Sequence, residues 1–172
     1  MRWGAREVQP EHQRVFERLL LLTGQMNYMW TNTESLLIHM IAGLAGTDKE
    51  TAVIIFLTLN TTRARIDLVE RLSKMARRGA EERDAILDCT RALTKLSGIR
   101  NRYNHCIYSF DAESGNPQTI LMRIADRKTD IRMGRTDAID SAELDRVERT
   151  LADLSELNRA MWQLIVQRGY PV

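Results

Sequence analysis

Six consecutive residues, Arg100-Asn101-Arg102-Tyr103-Asn104-His105, carry two guanidiniums, two carboxamides, a phenol and an imidazole. This set suits phosphate chemistry. A guanidinium holds a phosphate through charge-assisted hydrogen bonds and opposes charge growing on its oxygens. An imidazole titrating near neutral pH can take up a proton and give it back. Helical spacing gathers these groups. Arg100 and Asn104 are one turn apart, and so are Asn101 and His105, on rows displaced by about 100°.

The helix that must carry them has an apolar seam of Ile86, Cys89, Leu93, Leu96, Arg100 and Tyr103. Arg100 therefore falls where a core residue is expected. An isolated buried charge is very costly, so this guanidinium must be hydrogen-bonded or paired. A plainer reading is a polar helix end, because basic side chains favour the negative end of the helix dipole. That reading accounts for Arg102 and His105 and explains Arg100 poorly.

The run Arg100 to His105 resembles the R-x4–6-H motif of the HEPN superfamily, whose second position is commonly Asn, His or Asp. The resemblance implies one helical domain over residues 1–172, with the motif at the end of one helix and a further helix after it. It also implies metal-independent cleavage of RNA by 2′-hydroxyl attack, in a homodimer that brings two motifs together. On that resemblance His105 is the acid/base, Arg100 the phosphate clamp, and Asn101 the group that orients the histidine or the hydroxyl. Arg102, Tyr103 and Asn104 become RNA contacts beside them, although Tyr103 also fits packing against a neighbouring helix. The implied roles are a toxin or a defence or stress effector, with an antitoxin-like protein as a further partner. Some members keep the bundle without the activity, so a non-catalytic dimerisation or partner- or nucleotide-binding module is the alternative. Cys106 stands where many relatives carry Gly after the histidine, a departure that bears on the pose of His105.

A basic run, Arg123, Arg127, Lys128, Arg132 and Arg135, is a second candidate contact for an RNA backbone. Asp126, Asp130 and Asp137 interrupt it, which equally fits a solvated mixed-charge loop. With a net charge of +2, bulk electrostatics would not coat nucleic acid, so any such contact must be local. The three histidines, His12, His39 and His105, fall in no metal-ligand pattern, and no cofactor motif occurs. Cys89 and Cys106 form no CxxC pair, and free thiols suit a reducing cytoplasm. The first residues lack the apolar core of a signal peptide, and the longest apolar run, Ala52 to Leu57, is far too short to span a membrane. The expectation is therefore a cytoplasmic protein without membrane contact.

The elements that must position the motif follow from periodicity. Pro10 fits a first helical turn, followed by Val15, Leu19, Leu22, Met26 and Met29 at helical steps. The pattern continues through Leu36 to Leu44 and stops at Gly46, as one long helix or two joined near Trp30 to Thr33. Thr47 and Glu50 have capping-box spacing before a short apolar helix, and Asn60-Thr61-Thr62 restarts the chain. The next stripe, Ile66, Val69, Leu72 and Met75, is expected to end at Gly79. A last long helix begins at a cap, Asp140, with Glu143 three residues on. Alternation around Tyr108, Phe110, Ile120, Met122 and Ile124 flanks turn chemistry in "DAESGNPQ" and predicts a β-hairpin at about 106–126. The fold class is thus all-α, with 44% hydrophobic residues to fill a bundle of about five helices and a small hairpin before the last one.

Overall fold

Pro10 opens helix α1 (Pro10–Ser35) in the computed structural model, which describes residues 9–121, 124–126 and 128–172. After it come α2 (Leu37–Ala45), α3 (Lys49–Thr58), α4 (Thr62–Ser73) and α5 (Ala80–Asn104). Five short strands follow: β1 (Cys106–Phe110), β2 (Pro117–Leu121), β3 (Ile124–Asp126), β4 (Ile131–Met133) and β5 (Thr136–Ala138). Helix α6 (Ser141–Gln167) is the last element. The molecule is mostly helical with a small antiparallel sheet, six helices rather than about five among the described residues. Among those residues no helix is long and apolar enough to cross a membrane.

The chain falls into two compact units. The first holds residues up to Asn27 and 99–151, and the second residues 28–98 and 152–172. In the first unit Leu19, Leu22 and Met26 of α1 are buried, as are Tyr103, Ile139 and Val147. The expected hairpin forms as β1 against β2, with Tyr108 opposite Thr119, but it is not alone. β5 pairs with the free edge of β2, and β3 pairs with β4 in a separate ribbon that includes Ile124. Met122 lies outside the described residues. Phe16 of α1 packs on the sheet through the rings of Tyr108 and Phe110, at 6.3 and 4.9 Å between centroids. His12 is half-buried, its Nδ1 3.0 Å from the Gly115 carbonyl in the β1–β2 turn.

In the second unit the break between α1 and α2 lies at Leu36, beyond the expected joint at Trp30 to Thr33. Two hydroxyls bond back to the helix just before the break. Thr33 Oγ1 donates to the Met29 carbonyl and Ser35 Oγ to that of Asn32, bonds that bend a helix. Gly46 ends α2 with φ of 72°, a left-handed conformation suited to glycine. The cap of α3 is Asp48 and not the expected Thr47. Its carboxylate accepts from Thr51 N at 2.7 Å and from Thr51 Oγ1 at 3.1 Å, two bonds that one hydroxyl could not accept as well. α4 stops at Ser73, six residues before Gly79, and Met75 is exposed. The early stop frees Arg77 and Arg78 to donate to the Gly43, Leu44 and Ala45 carbonyls at the end of α2. A buried ionic knot ties α1 to α4. Glu34 accepts from Trp30 Nε1 at 3.0 Å, Thr62 Oγ1 at 2.7 Å and Arg65 Nη1 at 2.9 Å.

Candidate functional site

The last turn of α5 and the residue after it carry the motif. Leu96 and Tyr103 are buried on the seam, whereas Arg100 between them is half-exposed. Its guanidinium is held by amide oxygens. Nη1 donates to Asn101 Oδ1 at 3.0 Å. The hydrogen-bond network orients the Asn104 carboxamide with its oxygen toward Arg100, accepting from Nε at 2.9 Å and Nη2 at 3.2 Å. The Asn104 nitrogen then faces Asn27 Oδ1 at 3.1 Å, which brings α1 into the cluster. Amide oxygens accept from a guanidinium and help to fix its direction. Asn101, Asn104 and His105 are exposed. His105 lies just past α5, its backbone N–H shared between the Asn101 and Arg102 carbonyls at 3.1 and 3.4 Å.

Strand β1 closes the same helix end. The Tyr108 hydroxyl donates to the Tyr103 carbonyl at 2.8 Å, and Cys106 Sγ reaches the same oxygen at 3.4 Å. The residue after the histidine thus helps to cap α5 through its thiol, a contact glycine could not make. Burial, then contact with Cys106, pushes the Tyr108 phenol above its ordinary range.

Arg102 and Tyr103 face another set of partners. Arg102 Nη2 pairs with Glu143 at 2.8 Å and Asp137 at 3.3 Å, and its guanidinium carbon lies 5.6 Å from the Tyr103 ring centre. The Tyr103 hydroxyl donates to Glu143 Oε1 at 2.6 Å. Burial first, and then that carboxylate, raises the phenol pKa, so Tyr103 remains a hydrogen donor at neutral pH. Asp140 does cap α6, accepting from Glu143 N at 2.9 Å. The Glu143 side chain, however, points to Tyr103 and Arg102.

Asn27 and Glu143 are the two residues that sequence reasoning missed. Asn27 is 77 positions from Asn104, and no local pattern links them. Glu143 was visible only through its capping-box spacing. Of the basic run, Lys128 is exposed between β3 and β4, and Arg135 pairs with Asp137 at 3.0 Å. Arg123 and Arg127 lie outside the described residues. Among the described residues, no group of three or more His, Cys, Asp or Glu side chains is placed to hold a metal ion. No family model matches the chain, and neither a curated protein nor a solved structure matches it.

Proposed function

We propose that this protein is an HEPN-like endoribonuclease that needs no metal, with a helical-bundle body and a cytoplasmic setting that keeps Cys89 and Cys106 reduced. One observation carries the reading: Arg100, bonded by Asn101 and Asn104, is half-exposed near the end of α5, and the exposed His105 immediately follows that helix. In the proposed reaction an imidazole takes the proton of an RNA 2′-hydroxyl, and that oxygen bonds to the adjacent phosphorus. The bond from phosphorus to the 5′-oxygen breaks, and a protonated imidazole returns a proton to the departing oxygen. Arg100 opposes the charge that grows on the phosphate oxygens. A homodimer supplies two imidazoles, one for each proton.

The pairing of Arg102 and Tyr103 with Glu143 supports a positioning role for these two beside the motif. It also favours a second reading, a non-catalytic binding module in which the motif is a structural network. End-group analysis separates the two. An RNA with a 5′ label, incubated with excess EDTA, is expected to yield fragments ending in 2′,3′-cyclic phosphate. Fragments ending in 3′-hydroxyl would refute the mechanism, and no cleavage at all would favour the binding module.

A further inference from the structure

A groove of about 430 Å³ lies between α5 and α6 in the second unit, on residues separate from the motif. Its floor is apolar. Cys89, Ala92 and Leu96 sit at steps of three and four on α5, and Leu157 and Ala160 at a step of three on α6. Burial pushes the Cys89 thiol up to about 11, with Asp88 adding to the shift, so the floor stays uncharged at neutral pH. Each wall runs for about two helical turns, or roughly 10 Å. The two alanines leave the space that a larger side chain would fill. Grooves of this kind receive the side-chain ridge of another helix.

The two rims differ in charge. On α5, Asp88 pairs with Arg91 and Lys95 stands one turn further on. On α6, Asp153 and Glu156 are exposed at a step of three, and neither has an ion-pair partner among the described residues. One rim therefore offers two carboxylates about 4.5 Å apart along the helix axis. Their complement is a pair of basic side chains one turn apart on the edge of a helix.

We propose that this groove docks an amphipathic helix of a partner protein. Its apolar stripe lies over Ala92 and Ala160, and two Lys or Arg residues on one edge meet Asp153 and Glu156. The inference is independent of the ribonuclease reading.

The test uses the whole chain and two labelled, staple-fixed helical peptides of about 18 residues, a length at which unaided helices are marginal. Both carry a Leu and Ala stripe. One bears two Lys residues a turn apart on its edge, and the other bears Glu at the same places. By fluorescence anisotropy the Lys peptide is expected to bind about tenfold more tightly at low salt, with the gap closing at high salt. Asp153→Lys combined with Glu156→Lys should reverse the preference. Ala160→Trp, at an exposed position, should abolish binding with an unchanged melting temperature. If Ala160→Trp fails to fold, the charge reversal decides alone. Equal binding of the two peptides, or no effect of the charge reversal, would overturn the proposal. So would self-association of the chain, seen by sedimentation, that Ala160→Trp removes, because a second copy would then be the occupant.

Discussion

Arg100 and Arg102 are two positions apart on one helix and point to different chemistry. Arg102 is held by the carboxylates of Glu143 and Asp137, Arg100 by the amides of Asn101 and Asn104. Arg102 is thereby tied to two carboxylates, while the amides orient the half-exposed Arg100 guanidinium. Tyr103 belongs with Arg102. Replacing it with Phe removes the 2.6 Å bond to Glu143 but leaves that carboxylate paired with Arg102. Tyr103→Phe is expected to lower unfolding stability by about 1–2 kcal/mol in urea titration. A loss near zero would mean that the phenol is not part of the network.

At the scale of elements, buried ion pairing and helix caps carry separate expectations. Glu34 joins α1 to α4 through Arg65, and both side chains are largely shielded from water. Glu34→Ala leaves that guanidinium without its carboxylate and is expected to cost about 3 kcal/mol, read from denaturant midpoints. The cap of α3 and the β1–β2 turn respond to pH instead. Backbone N–H bonds, from Thr51 to Asp48 and from Ser114 to Asp111, hold these carboxyls below the usual carboxylate range. Because the folded values are depressed, the stabilisation is complete above the ordinary range and is lost as pH falls through the lowered values. Asp48→Asn and Asp111→Asn should therefore flatten the acid limb of a melting-temperature profile and change its neutral plateau less. An acid limb as steep as in the wild type would contradict this.

Much of this level was legible in the sequence. Pro10, Thr61 and Asp140 mark helix starts by local chemistry, and periodicity marks the seam of α1. The choice of Asp48 over Thr47 was not legible, because adjacent residues with capping side chains differ only in the backbone angle that the fold imposes. The end of α4 at Ser73 and the pairing of β5 with β2 were hidden for a related reason. Both depend on distant partners, the carbonyls of α2 and an open strand edge. The motif was readable as a helical cluster, but Asn27 and Glu143 enter it only through tertiary contact.

At the scale of the molecule, α1, α5 and α6 each contribute residues to both compact units, and the motif falls within the first. The acid-rimmed groove falls within the second. A net charge of +2 gives the chain little general attraction for RNA, so the proposed activity must depend on its local groups. That makes one residue decisive. His105 is exposed and outside α5, so His105→Ala should leave the fold and the melting temperature unchanged. The direct measurement is the rate at which wild-type protein and His105→Ala, purified side by side, cleave a labelled RNA in EDTA. The proposed function predicts a loss of about a hundredfold or more in the variant. Equal rates for the two proteins would contradict it.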